Sequence, residues 1–148
     1  MGVRFHIGTN YRYRYTFDGG FGTRMPAGRV LVVDDEDNVT EIVQEYFTSL
    51  GYEVDVAHDG VEALRRAAAI RPDVVLLDIN MPGVTGDEAL NRLHALDPTV
   101  PIVMLTGNAD EAVARDLLRR GAMDYVSKPF QLDMLDRVVA TAVAVGRR

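Results

Sequence analysis

The chain has 148 residues, 47% of them apolar and 26% charged, with a formal net charge of −6 and no cysteine. That is enough chain for one domain with a sizeable core, and it excludes disulfides, thiolate zinc sites and a cysteine nucleophile. No apolar run is long enough to span a bilayer and nothing near Met1 resembles a secretory leader, so a cytoplasmic location and no membrane partner are expected.

Charge is unevenly placed along the chain. Residues 1–24 hold Arg4, Arg12, Arg14 and Arg24 against Asp18 alone, net +3, which leaves −9 on the other 124 residues. An acidic body disfavours direct nucleic-acid binding and favours basic partners or a cation. Residues 1–28 are read as an N-terminal extension, because "NYRYRYTFDGGFG" alternates aromatic and basic residues and then dissolves into glycines. A strand added to the sheet, a nucleic-acid arm of stacking aromatics and cations, and a mobile extension all suit it. The glycines and the terminal position favour the last. Met25 offers a second start of translation just before the first regular segment.

From Arg29 onward, short apolar runs alternate with amphipathic segments, and the domain is placed at residues 29–148. "RVLVV" (29–33) predicts a buried strand. The helix after it carries Val39, Ile42, Val43, Tyr46, Phe47 and Leu50 at helical spacing and stops at Gly51. "YEVDVA" (52–57) alternates like a strand nearer an edge. Asp59 suits the N-cap of a helix through Val61, Leu64, Ala68 and Ile70, closed by Arg71-Pro72. "DVVLL" is the third strand, followed by a helix from Asp87 to Leu96. "PIVMLT" (101–106) is the fourth strand, followed by a helix over about 110–120. "MDYVS" (123–127) is the fifth strand, and a helix from Gln131 to Val145 completes the pattern. Five strand–helix pairs joined by short loops imply a parallel sheet with helices on both faces, an α/β fold.

In such a sheet, ligands bind beyond the carboxyl ends of the strands. After the first strand come Asp34, Asp35 and Glu36, and after the third comes Asp78. The fourth finishes with Thr106 and Gly107, and the fifth is followed by Lys128 and Pro129. Lys128 is the only lysine among 16 basic residues. Carboxylates brought within about 4–6 Å repel one another and raise each other's pKa unless a cation intervenes. A hard divalent ion resolves this, and a few carboxylates with a carbonyl and waters suit Mg²⁺. One carboxylate oxygen would then be left to attack phosphorus, with Lys128 and the Thr106 hydroxyl disposed toward the incoming phosphoryl oxygens. Asp34 or Asp35 is also expected to cap the helix that follows. His6, His58 and His94 lack metal-ligand spacing and read as surface residues.

With "VLVVDDE", "VLLDINMPGVTG", "VMLTGNAD" and "DYVSKPF" in this order, the chain from about Arg29 to Val145 resembles the receiver domain of two-component response regulators, of the chemotaxis-regulator type. The resemblance implies a flavodoxin-like, doubly wound (βα)5 fold with a five-stranded parallel sheet in the order 2-1-3-4-5. It implies that Asp78 is phosphorylated by a histidine kinase or a phosphotransfer protein. Asp35, Asp78 and the main-chain carbonyl of Asn80 would hold Mg²⁺, and Asp34 would contribute through water. Thr106 and Lys128 would contact the phosphoryl group, Tyr125 would turn inward as a switch when Thr106 moves, and the Lys128–Pro129 peptide would be cis.

No further patterned segment follows the last helix, so a stand-alone receiver is expected, acting on an unidentified downstream protein rather than turning over a substrate. Leu132, Leu135, Val139, Ala142 and Val143 share one face of that helix, widened by Met134, Val138 and Val145. An arc that broad suggests an interface, for a homodimer. Three other readings compete. A haloacid-dehalogenase-like phosphatase would need an acid–base group where Asn80 stands. A flavin-binding module would place its phosphate against three carboxylates. A receiver fold working as a binding module without phosphorylation is the third.

Overall fold

The computed structural model describes residues 3–5, 15–17, 26–107 and 111–146. Strands β1 (Val3–Phe5) and β2 (Tyr15–Phe17) pair antiparallel, Val3 opposite Phe17, in a two-stranded sheet of their own. These two strands are thus not added to the main sheet. His6, the Tyr11–Arg14 run and Met25 lie outside the described residues, as do 108–110.

The main sheet contains β3 (Arg29–Val33), β4 (Glu53–Ala57), β5 (Val74–Asp78), β6 (Ile102–Thr106) and β7 (Asp124–Ser127). All neighbours are parallel, in the order β4-β3-β5-β6-β7, which is 2-1-3-4-5 for these five strands. Between and after them run α1 (Asp37–Ser49), α2 (Gly60–Ile70), α3 (Gly86–Leu96), α4 (Glu111–Arg119) and α5 (Leu132–Gly146).

Every residue of β5 and β6 is buried, as continuous apolar runs in a sheet covered on both faces should be. Alternate side chains go to opposite layers. Val30, Val32, Val74, Leu76, Val103 and Leu105 pack with Val43 and Phe47 of α1 and with Leu135, Val139, Ala142 and Val143 of α5. Leu31, Val33, Val75, Leu77 and Met104 pack with α2, α3 and Leu117 of α4. Strand β4 forms an edge and is only partly buried over most of its length.

Two residues predicted on apolar helix faces, Val61 and Ile42, are exposed. Helix α2 buries Gly60, Ala63 and Ala67 and leaves Val61 exposed, because small side chains allow it to lie close to the sheet and to α3. Ile42 of α1 is also exposed, while Thr40, Val43 and Phe47 face the core. Asp59 does cap α2, accepting from the Glu62 N–H at 2.8 Å. Where α5 meets α1 it buries Asp136 completely, and the Tyr46 hydroxyl donates to Asp136 Oδ2 at 3.2 Å.

The domain begins and ends on one side. The Arg29 N–H that opens β3 donates to Asp73 Oδ2 at 2.8 Å, just before β5. Gly146, closing α5, lies against Pro101 and the Asp73 carbonyl, at the amino ends of β6 and β5.

Candidate functional site

The site lies at the opposite, carboxyl-end rim, where β3 and β5 run side by side and strand order reverses. Asp34 follows β3, its main-chain N–H donating to Ala57 O of β4 at 3.1 Å. Asp78 is the last residue of β5, in register with Leu105. Oxygens of Asp34, Asp35 and Asp78 all lie within 4.8 Å of one another. Asp34 and Asp78 are buried and Asp35 is exposed, so the cluster opens to solvent on one side.

Lys128 reaches this cluster from β7. Its main-chain N–H donates to Thr106 O at 2.7 Å, which locks the end of β7 to the end of β6. Its Nζ lies 2.6 Å from Asp34 Oδ2, 3.4 Å from Asp78 Oδ1 and 4.0 Å from Glu36 Oε1. The Lys128–Pro129 peptide is cis. Thr106 is buried at the end of β6, and Tyr125 is partly buried in β7 against the α2–α3 core layer.

Burial, and then the charge of Asp34, push the Asp78 carboxyl up to about 6, against the pull of Lys128 and of the Asn80 N–H. Burial disfavours the charged form of Lys128, but the hydrogen bond and charge of Asp34, with those of Asp78, outweigh it and raise its pKa above the usual value. One ammonium therefore serves three clustered carboxylates, a donor set of excess negative charge and hard oxygens that fits Mg²⁺.

The loop after Asp78 is held close to it. The Asn80 N–H donates to Asp78 Oδ1 at 3.3 Å, and the Gly86 N–H returns to Ile79 O at 2.9 Å. A methyl group on Gly86 would stand 2.3 Å from Asp78 O and 2.4 Å from Ile79 Cα, so only glycine fits there. This contact was visible in the sequence merely as one more glycine in "MPGVTG".

Two expectations require correction. Neither Asp34 nor Asp35 caps α1: Glu36 occupies the N-cap position without a side-chain bond, and Asp34 Oδ1 instead accepts from the Glu36 N–H at 2.9 Å. His94 is partly buried, its ring against Gly121, because the turn after α4 brings a residue without a side chain onto it. His58 is exposed, as expected, and its Nε2 lies 3.1 Å from Asp37 Oδ1.

Residues 30–140 match the family described as "Response regulator receiver domain". The chain belongs to that family. It is 43% identical over 115 residues to Regulatory protein AtoC of Escherichia coli, covering 78% of this chain and 25% of that one. It is 41% identical over 128 residues to Transcriptional regulatory protein PrrA of Mycobacterium leprae, covering 85% and 53% respectively. The chain thus spans between a quarter and about half of these curated relatives. Among solved structures, the receiver domain of NtrX from Brucella abortus superposes with a TM-score of 0.74 at 33% identity, covering 78% of this chain and 98% of that one. The Vibrio cholerae chemotaxis protein CheY4 gives a TM-score of 0.74 at 33% identity, covering 77% and 97%. The chain is therefore a receiver domain of two-component signalling, with the flavodoxin-like fold of that family.

Proposed function

We propose that Asp78 accepts a phosphoryl group from a phosphohistidine of a kinase or phosphotransfer protein, and that the phosphorylated domain is read by another protein. The observation that carries this is the meeting of three carboxylates within 4.8 Å with Lys128 bridging two of them, at the switch point of the sheet. An Asp78 oxygen attacks phosphorus, the P–N bond breaks, and its electron pair leaves with the imidazole. Asp35, Asp78 and the Asn80 carbonyl would hold Mg²⁺, with Asp34 acting through water. When bound, the ion supplies charge neutralisation among the carboxylates and the phosphoryl oxygens. Lys128, held on Asp34, turns its remaining donors from Asp78 to the transferred group, and the Thr106 hydroxyl donates to it. Tyr125, next to β6 in the register, repacks as Thr106 moves.

A groove of about 670 Å³ beside Lys128 and Glu36 is lined by Val39, Ile42, Pro129, Phe130 and Leu132, and it offers an apolar seat for the phosphodonor protein. That gives the exposed Ile42 a use. Residues 29–148 form the receiver and 1–28 an extension to it. The protein turns over no external substrate and works in the cytoplasm; among the described residues no helix is long and apolar enough to cross a membrane. Met134 and Val145 of α5 stay half exposed beside its buried face, which supports a homodimer through that helix. Sedimentation showing a monomer with and without an acyl-phosphate mimic removes the dimer.

The deciding experiment is incubation with acetyl phosphate and Mg²⁺ followed by intact-mass measurement. Wild type gains one phosphoryl group and Asp78→Asn gains none. Equal labelling of both, or labelling of neither, overturns the reading.

A further inference from the structure

Helix α2 starts with a glycine for which its own backbone gives no reason. Gly60 is the first helical residue, and its φ is not among the positive ones. Alanine is the better helix former at such a position, and the N-cap bond from Asp59 would survive it. The space around Gly60 is what forbids a side chain. A methyl group there would lie 2.8 Å from both Cβ and Cγ1 of Val84, well inside normal carbon–carbon contact of about 3.5–4.0 Å.

Val84 belongs to the loop between Asp78 and α3, and that loop has few other anchors. Asn80, Pro82, Gly83 and Thr85 are exposed, and Gly83 takes a φ of 77°. At its root the Gly86 N–H is closed onto Ile79 O, and in its first half Met81 is buried. In its second half Val84 is the side chain that enters the core layer, partly buried against residues of α2 and α3. The socket at Gly60 receives it.

We propose that Gly60 is a positioning residue for the acidic pocket: by accepting Val84 against the start of α2, it fixes the 79–85 loop and so the Asn80 carbonyl. This rests on the assignment of that carbonyl to the metal. Gly86 holds the loop at its root by backbone contact, and Gly60 holds it at its far side through a side chain 24 residues away in sequence. Because α2 follows His58, whose ring meets Asp37 next to the first acidic loop, the same contact links the loops after β3, β4 and β5 around the pocket.

The test uses the full chain as wild type, Gly60→Ala, Val84→Gly and the double variant. Thermal unfolding establishes that each is folded. In metal-free protein, Gly60→Ala shifts the amide resonances of residues 79–85, and in Mg²⁺ titrations it weakens binding about ten-fold, the scale of changes behind a metal's direct ligands. The rate of labelling by acetyl phosphate at saturating Mg²⁺ stays near wild type. Val84→Gly empties the socket and so gives the same kind of shift and weakening, and adding Gly60→Ala to it changes neither further, because no side-chain atom of residue 84 is left for the methyl to meet. Unchanged 79–85 resonances in folded Gly60→Ala, or a Gly60→Ala effect that persists in full on the Val84→Gly background, overturn the proposal. If wild type itself binds no Mg²⁺, the assignment of the metal site fails, and the metal-free resonances still decide whether Gly60 positions the loop.

Discussion

Lys128 sits nearer to Asp34 than to Asp78: its Nζ is 2.6 Å from the first and 3.4 Å from the second. Asp34 is fully buried and its other oxygen holds the Glu36 N–H, so it works as an anchor for the ammonium. Asp78 shares the cation more loosely, which leaves it, on the proposed function, an oxygen to react with.

Removing the ammonium should therefore harm the fold before it harms the chemistry. Lys128→Met strands two buried carboxylates, and loss of one partner from a buried pair costs about 3–5 kcal/mol. Denaturant unfolding in chelator should show a loss of that order, and Mg²⁺ should restore part of it. Labelling of Asp78 should stay slow even when Mg²⁺ saturates.

The raised pKa of Asp78 makes the metal-free protein sensitive to pH. With a folded pKa of about 6 against an ordinary 3.8, the folded state holds more protons between those values. Stability from this group is complete below the lower value and falls as pH rises through the upper one, by about 3 kcal/mol in all. Asp78→Asn removes the dependence. In chelator, it should be more stable than wild type above pH 6 and lose that advantage toward pH 4, as denaturant midpoints will show.

Gly86→Ala should act directly on Asp78, the proposed phosphoacceptor. The added methyl meets main-chain atoms of Asp78 and Ile79, which cannot rotate away. Overpacking of this kind costs about 1–3 kcal/mol, and here it displaces Asp78 as well. Thermal unfolding should fall, and labelling by acetyl phosphate should slow at every Mg²⁺ concentration. That response separates it from Gly60→Ala, which saturating metal should rescue.

Tyr46→Phe probes the buried contact between α1 and α5. It deletes the hydroxyl that donates to Asp136, a completely buried carboxylate. A lost bond to a buried charged group costs about 1–3 kcal/mol. Equilibrium unfolding should show that loss, while labelling of Asp78 should be unaffected, since both residues lie away from the acidic cluster.

Much of this molecule was legible in its residues. Buried parallel strands have to be apolar throughout, so "RVLVV", "DVVLL" and "PIVMLT" declare themselves, and the polar residue ending each one falls on the same rim. Strand order came from resemblance, since no periodicity encodes it. Helix faces were less readable. Gly60, Ala63 and Ala67 carry little hydrophobic signal, so the buried stripe of α2 was not read from them; of the residues that were read, Leu64 and Ile70 pack on the core and Val61 is exposed. Asp136 reads as a solvent-side charge within "LDMLDRVV", yet it is buried. That Lys128 prefers Asp34 is a difference of less than 1 Å between two neighbours, fixed by packing at the ends of three strands.

Arg29 beside Asp73 and Gly146 beside Pro101 come together at the pole away from Asp78. Anything tethered there hangs clear of the face a phosphodonor must approach. On the proposed function, one such unit could be fused to very different companions without redesign of its chemistry, and news of phosphorylation would have to cross the body of the sheet to reach them.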